Sequence, residues 1–207
     1  MEKDSDIPNN LKHYTSFENL LVILSKNALH LGDPKNWEDK NDVASILAYA
    51  RINSVSVGVL CLTYEDETIH HWKTFAKGQT GCRIDFNNSI LQKKISNLPG
   101  IIYRKVIYLK KPFDLSKYKV EDYPFLKRAV YECEKEYRVF WSGKGKPPPI
   151  SIDGLIRRIT FSPEIKEHAL KTIRDLLKNT YGINEVCKST VLEYPYWIGK
   201  FNKTIKE

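Results

Sequence analysis

The sequence predicts a mixed α+β fold, and three observations support that prediction. Strand-length runs of β-branched and apolar residues recur along the chain, and the clearest is VSVGVLCLT at 55–63. Amphipathic segments with helix-start signals lie between such runs, for example at 15–25 and 162–177. No repeat or low-complexity linker divides the chain, so we expect a single domain over residues 1–207.

The first helix has the pattern of a capping box. Thr15 is the predicted N-cap and Glu18 the acid that reaches back to it. An apolar stripe follows at Phe17, Leu20, Leu21 and Leu24. Asn27 predicts the helix exit, because asparagine tolerates a left-handed conformation. A short strand at 28–31 and a polar loop reaching Asp42 come next.

The middle of the chain alternates strand and helix signals. After the strand at 55–63, a helix starts near Thr68, and glycines at 78–81 end it. In the strand at 82–86, Cys82, Ile84 and Phe86 are expected to face inward. Arg83 and Asp85 then face outward or into a cleft. Residues 87–96 form a short capped helix.

The last hundred residues continue the mixed pattern. Strands are expected at 101–109, 136–141, 155–161 and 186–192, and a helix is expected at 119–131. A further helix is expected to start at Ser162, with Pro163 at its first position.

Charge and composition narrow the classes of partner. Lys and Arg number 33 against 25 Asp and Glu, a net charge of +8, which favours an anionic small molecule or nucleotide. The basic residues are scattered, so nucleic-acid binding would be non-specific. No apolar run is long enough for a bilayer and no signal-peptide pattern is present, so we expect a cytoplasmic protein without a membrane partner. Four widely spaced cysteines argue against zinc.

Three glutamates recur at every second position before an apolar run. On a strand, Glu132, Glu134 and Glu136 would share one face and raise one another's pKa, which is typical of a working acid or base. The alternative is a solvated edge whose carboxylates pair with Lys135 and Arg138, or a helix end. Both interpretations remain open on the sequence alone.

His13 directly precedes the first helix. A helix N-terminus attracts anions, so this histidine could hydrogen-bond a ligand whose phosphate sits there. The alternative is a structural histidine, with Glu18 occupying one of the helix donors. Adjacent His70 and His71 point to opposite sides and are a poor metal pair, so no metal is expected. Trp72 is expected in the core.

Three segments together resemble a known family. They are HYTSFENLLVILSKNALHLGDPKNWEDKND, LCLTYEDETIHHWKTFAKGQTGCRIDF and YECEKEYRVFW, and they resemble the bacterial domain-of-unknown-function family 2971. The opening, a histidine followed by a capped amphipathic helix, also resembles the first motif of DarT-type ADP-ribosyltransferase-like folds.

These resemblances imply a mostly antiparallel split sheet with flanking helices around a cleft that holds NAD as a substrate. His13, followed by Tyr14 and Thr15, would bind a ribose. Trp72 and Phe75 are the candidates for the aromatic residue that would stack on nicotinamide. Where the parent family carries a tyrosine, this chain has Phe75, which keeps stacking but loses a hydroxyl. The family's Asn-Asp-Pro is replaced by the segment 38–40.

The resemblance implies that Glu136, with Glu134 as the alternative, acts on the scissile ribose. Arg138, two residues further on, would hold Glu136 ionised or meet a phosphate. The predicted function is an NAD-dependent ADP-ribosyltransferase or NAD glycohydrolase of defence or toxin type, with an unknown acceptor. The alternative is a non-catalytic binding module of the same fold that contacts nucleic acid. The first interpretation expects His13, Trp72 and Glu136 to converge on one pocket.

Overall fold

A computed structural model describes residue 8 and residues 10–204, and its centre is a seven-stranded, mostly antiparallel sheet. The strand order is β11-β10-β4-β1-β3-β8-β5, and β10 and β11 are the parallel pair. The strands of this sheet are β1 (Lys12–Ser16), β3 (Ser56–Thr63), β4 (Gly81–Phe86), β5 (Ile101–Lys105), β8 (Glu136–Gly143), β10 (Ile156–Phe161) and β11 (Val186–Lys188). Two small pairs lie outside it, β2 (Ala28–Leu29) with β9 (Ile150–Ser151) and β6 (Ile107–Leu109) with β7 (Leu126–Arg128).

Helices cover both faces of the sheet. They are α1 (Phe17–Ser25), α2 (Lys40–Asn53), α3 (Ile69–Phe75), α4 (Asn88–Ser96), α5 (Glu167–Tyr181) and α6 (Pro195–Thr204). The main core contains side chains from α1, α4 and α5 together with one sheet face, whose centre includes Ile84, Val139 and Ile159. On the other face, α2 packs through Ile46 and α3 through Trp72. The predicted mixed α+β class is confirmed.

The sheet is split between β1 and β3. These strands pair at one position, Lys12 opposite Thr63, and then diverge. Further along β3, the free edge is occupied by Gly32, whose backbone exchanges hydrogen bonds of 2.8 and 2.9 Å with Val59. The loop before α2 therefore enters the opening that the diverging strands leave. This arrangement is the split, mostly antiparallel sheet that the sequence resemblance implied.

The start of α1 differs from the predicted one. Strand pairing with β4 continues through Thr15 and Ser16, opposite Cys82 and Gly81. The helix consequently begins one residue later, and the Ser16 hydroxyl, 3.3 Å from the Asn19 amide, is the N-cap. Thr15 is a buried strand residue. The predicted cap at Thr15 was wrong because the backbone at this residue pairs with β4 in the sheet.

The bounds of several other elements also differ from the predicted ones. Residues 119–131 form two 3₁₀ helices around β7 and not an α-helix. Helix α2 follows the loop at Asp39, where the sequence had suggested no helix. Ser162 accepts a hydrogen bond from the Glu164 amide in a turn, and α5 starts at Glu167. Among the described helices, none is both long and apolar enough to cross a membrane.

Candidate functional site

His13 bridges the split at the point where backbone pairing ends. Its Nδ1 lies 2.9 Å from the Cys61 carbonyl oxygen on β3. A carbonyl only accepts, so Nδ1 carries the hydrogen and donates it. Burial lowers the pKa of His13, and the bond to Cys61 only partly opposes this. The ring is therefore neutral near pH 7, and its Nε2 is a hydrogen-bond acceptor.

Glu136 belongs to the opposite face of the sheet. Directly opposed residues of antiparallel strands share a face, and Glu136 is opposite Thr63, which is opposite Lys12. His13 follows Lys12 and points to the other side, opposite Ile84. His13 and Glu136 thus approach β3 from its two faces, and the predicted single-face convergence of these two side chains does not occur.

Glu136 is the centre of a buried cluster of five charged side chains. Arg138 donates to both of its oxygens, through Nε at 2.7 Å and Nη2 at 2.8 Å. Lys127 Nζ lies 3.1 Å from Glu136, 2.6 Å from Glu134 and 3.2 Å from Asp42. Arg138 also donates to both Asp42 oxygens, at 3.0 and 3.1 Å. Three carboxylates and two cations leave the cluster with one excess negative charge.

The cluster separates the pKa values of its two glutamates. Burial would raise the pKa of Glu136, but the charges of Arg138 and Lys127 outweigh it and lower the pKa to about 2. Burial raises the pKa of Glu134, which Lys127 only partly offsets. One carboxylate is thus held ionised while its neighbour is more ready to take a proton. Such a split is typical of acid and base pairs in enzyme sites.

Arg138 has a positioning role in this arrangement. Its guanidinium is 0% exposed, and besides Glu136 and Asp42 it donates to the Pro124 carbonyl oxygen at 2.6 Å. The prediction that Arg138 holds Glu136 ionised agrees with these bonds. The predicted alternative, a direct contact of Arg138 with a phosphate, does not fit this arrangement, because its protein partners enclose the guanidinium and leave no accessible face.

Access to Glu136 is restricted. The residue is 3% exposed, and both carboxylate oxygens already accept hydrogen bonds. Lys127 is the outer member of the cluster, with its ammonium 5.0 Å from the centre of the partly exposed Tyr131 ring. A ligand that contacts Glu136 must therefore replace Lys127, which keeps Glu134 and Asp42 as partners.

The aromatic candidates lie on the same face as Glu136. Tyr14 stacks on His71 at 5.1 Å between ring centres and meets Trp72 edge to face at 5.2 Å. Trp72 is 4% exposed and donates to Glu67 at 2.7 Å, so it is a core residue, as expected. Phe75 is 41% exposed. Of the two predicted stacking residues, Phe75 has the more exposed ring, which also lies 6.1 Å from the ring of His71.

The two adjacent histidines differ. His70 is exposed, whereas His71 is buried and makes two hydrogen bonds, 2.6 Å to Thr68 Oγ1 and 3.1 Å to the Glu134 carbonyl oxygen. His71 therefore ties α3 to the segment that carries Glu134. In the described part of the chain, no three His, Cys, Asp or Glu side chains are grouped as a metal site.

The predicted triplet of glutamates on one strand face was wrong. Glu134 ends a 3₁₀ helix, and Lys135 adopts a left-handed conformation with φ 44°. This residue reorients the backbone, so only Glu136 lies on β8. Glu134 is nevertheless brought beside Glu136 by Lys127. Glu132 is exposed, and its carboxylate lies 4.0 Å from the Lys135 amine.

Two open cavities lie elsewhere, and none of the predicted site residues lines them. The larger, of about 570 Å³, lies over β1, β4 and β10, with Lys12 and Arg83 in its wall. The second, of about 480 Å³, is bordered by Arg51 and Lys144. The strand alternation predicted that Arg83 and Asp85 face outward or into a cleft, and both line the larger cavity.

Comparisons with known proteins give a structural likeness. No protein-family model matches the chain, and no curated protein matches it either, so the resemblance to family 2971 is not confirmed. The solved structure of Thermus sp. 2.9 DarT in complex with NAD+ aligns with a TM-score of 0.50. The alignment covers 91% of this chain and 99% of that chain, at 11% sequence identity.

The fold is similar to that of DarT. A second Thermus sp. 2.9 DarT structure, in complex with ADP-ribosylated ssDNA, aligns with a TM-score of 0.46 at 14% identity. That alignment covers 94% of this chain and 100% of the other. At such identities the likeness to DarT describes the arrangement of helices and strands, and the roles of individual side chains must come from the site itself.

Proposed function

We propose that this protein binds NAD at the split between β1 and β3, cleaves the nicotinamide-ribose bond and passes ADP-ribose to an acceptor. The observation that carries the proposal is Glu136, a carboxylate held ionised by Arg138 at the start of β8 beside the split. The similarity in fold to a DarT whose structure contains NAD+ supports NAD as the substrate. A defence or toxin-type role would follow from such an activity.

The substrate contacts follow from the edges of the split. His13 offers Nε2 to a ribose hydroxyl, and Tyr14 and Thr15 continue the strand that positions it. Phe75 stacks on the nicotinamide ring, with Trp72 supporting α3 from the core. His13 and Glu136 approach β3 from its two faces, so a ribose would have to lie within the split itself to meet both side chains.

The chemistry assigns separate tasks to the two glutamates. When the bond between ribose C1′ and the nicotinamide nitrogen breaks, nicotinamide leaves as a neutral molecule with the bonding electron pair. Positive charge develops on the ribose, and the ionised Glu136 stabilises that charge more than it stabilises the substrate. The acceptor atom then bonds to C1′ and gives its proton to Glu134, whose pKa is raised by burial.

Substrate binding must open the cluster. A ribose hydroxyl takes the place of Lys127 at Glu136, while Lys127 retains its bonds to Glu134 and Asp42. Arg138 stays in place because all three of its partners are protein groups. The exchange replaces an ion pair with a hydrogen bond from a neutral hydroxyl, so it costs binding energy that other NAD contacts must supply.

A second candidate function is supported by the enclosure of Glu136. A 3% exposed carboxylate with both oxygens bonded is also what a purely structural ion cluster would contain. In that case the protein is a non-catalytic ligand-binding or interaction module with the same fold. Its basic surface would contact nucleotides or nucleic acid through charge alone.

Ligand-dependent melting tests whether NAD binds at the split. Saturating NAD at about a hundred times its Kd should stabilise the native state by about 2.7 kcal/mol, a shift of roughly 5–11 °C for a chain of this size. His13→Gln should remove that shift, whereas His168→Gln, at an exposed position of α5, should leave it unchanged. An absence of any NAD shift, together with a shift from nucleic-acid oligomers, would favour the binding module.

A further inference from the structure

A row of polar side chains crosses five strands on one face of the sheet. Successive opposed residues are Arg158, Asp85, Lys12, Thr63 and Glu136. Four of the five are buried, with exposures of 5% or less, although they carry charges or a hydroxyl. Burying charged groups is costly, and buried charges concentrate at functional sites. One end of the row is the Glu136 cluster, and the other end lies in the larger cavity.

The larger cavity has the size of a ligand site. Its volume of about 570 Å³ is within the range of small-molecule pockets. The floor is formed by Lys12 and Arg83 from β1 and β4, and one wall is the segment after β11, including Val191 and Tyr194. Polar and apolar groups thus surround one concave space.

The two inner cations of this cavity, Arg83 and Lys12, already have hydrogen-bond partners. Arg83 donates to both Asp85 oxygens, at 2.8 and 3.1 Å, and lies 3.4 Å from Glu67. Lys12 Nζ donates to the Glu65 and Asn10 carbonyl oxygens, at 2.6 and 3.2 Å. These residues form a fixed polar floor with no charge left to attract an anion.

The outer cations of the cavity, Arg157 and Arg158, lack the acidic partners that Arg83 has among the described residues. Arg157 and Arg158 line the cavity, and no described carboxylate lies within ion-pair distance of either. Two guanidinium groups that line one cavity and lack acidic partners suit a phosphate, whose oxygens accept hydrogen bonds from the planar arginine N–H groups. Across the cavity, Asp66 has no side-chain partner among the described hydrogen bonds and can accept from hydroxyl groups.

We infer that this cavity binds a phosphorylated ribose, as a free sugar phosphate or as part of a nucleotide. Its phosphate lies on Arg157 and Arg158, its hydroxyls on Asp66, and Tyr194 covers its open side. Nothing in this inference depends on NAD cleavage, because the site is defined by its own charges.

The cavity is distinct from the position of the NAD diphosphate in the proposed reaction. Arg158 and Glu136 are four strand spacings apart in the row, about 19 Å at roughly 4.8 Å per spacing. In NAD the diphosphate is joined to the nicotinamide ribose through a single methylene group. A ribose in contact with Glu136 therefore cannot place its own diphosphate on Arg158, so the cavity holds a second ligand or another part of a long one.

Isothermal titration of the full chain with ribose 5-phosphate tests the inference. The double variant Arg157→Ala/Arg158→Ala should weaken binding by about tenfold or more, since each charged hydrogen bond is worth that much. Lys171→Ala/Lys178→Ala removes the same charge from exposed positions of α5 and should change affinity less than about twofold.

The other probes identify the source of the phosphate and the part played by the sugar. Tighter binding of adenosine 5′-monophosphate than of ribose 5-phosphate indicates a nucleotide, and equal binding indicates a sugar phosphate. Asp66→Asn should weaken both while leaving the protein folded, as melting curves would show. The inference is overturned if ribose 5-phosphate does not bind wild type at millimolar concentration, if the arginine variant binds it equally well, or if inorganic phosphate binds as tightly.

Discussion

The Arg138 guanidinium donates two hydrogen bonds, of 2.7 and 2.8 Å, to the carboxylate of Glu136, which lies two residues earlier on the same face of β8. Both side chains are almost completely buried. Neither could be placed there alone, because an unpaired buried charge is strongly destabilising. The pair is therefore a structural requirement of this end of the sheet and, in our proposal, the source of a fixed catalytic charge.

Removing the guanidinium should destabilise the fold severely. Arg138→Gln leaves Glu136 and Asp42 with an insufficient countercharge, and breaking a buried pair costs about 3–5 kcal/mol. For a domain of this size the melting temperature should fall by roughly 6–20 °C. Arg104→Gln breaks the partly exposed bond to Asp122 and is the matched control, with an expected loss of about 1 kcal/mol. Equal losses in urea unfolding would contradict the assignment.

Glu136 should make stability depend on acid pH. Its pKa is lowered from 4.5 to about 2, so the stabilisation is fully present above about pH 4.5 and is lost as the pH falls toward 2. The stabilisation involved is on the order of 3 kcal/mol. In Glu136→Gln the melting temperature should therefore depend less on pH over this interval than it does in wild type. Glu134 has the opposite pKa shift in wild type, and this shift is smaller in the variant because the Glu136 charge contributes to it. Parallel melting curves from pH 5 to 2.5 would argue against an ionised Glu136.

Gly81 is required where α3 ends against β4. A Cβ at this position would lie 1.9 Å from the Ala76 carbonyl oxygen, and a backbone atom cannot move aside cheaply. Gly81→Ala should therefore lower the free energy of unfolding by about 1–3 kcal/mol and loosen the α3 residues next to Tyr14. Gly199→Ala, which meets nothing within 4 Å in α6, should be neutral or stabilising by up to about 1 kcal/mol. Denaturant titration of both variants distinguishes packing from a general effect of glycine replacement.

Nucleic-acid binding by this chain should be electrostatic. The net charge is +8, and the basic residues are scattered over the sequence without a groove-reading motif. Affinity for an oligonucleotide should fall by about tenfold or more between 50 and 200 mM salt, with little dependence on base sequence. Fluorescence anisotropy with two unrelated oligonucleotides measures both effects. Salt-independent or strongly sequence-dependent binding would require specific base contacts instead.

Alternation along strands was the most reliable signal in the sequence. It gave the inward Cys82 and Ile84, the cleft-facing Arg83 and Asp85, and the shared face of Glu136 and Arg138. These relationships depend on neighbouring residues in one strand, so two-residue periodicity is sufficient to predict them.

The remaining features depend on tertiary contacts or local backbone geometry. Asp42 meets Arg138 across 96 residues, and no local pattern reports such a contact. Glu134 was assigned to the strand because Lys135 gives no sequence sign of its left-handed conformation. The side of β1 on which His13 lies followed only from its register with β4.

The central claim is tested most directly by nicotinamide release from NAD with purified wild type and Glu136→Gln. The substitution changes the cluster from one excess negative charge to a balanced two against two, so the variant should remain folded, and matched melting curves would verify this. We predict measurable release by wild type and about a hundredfold or greater reduction in the variant, the loss expected for one preorganised charge. Equal release by both proteins, or none by wild type with any acceptor tried, would contradict the proposal.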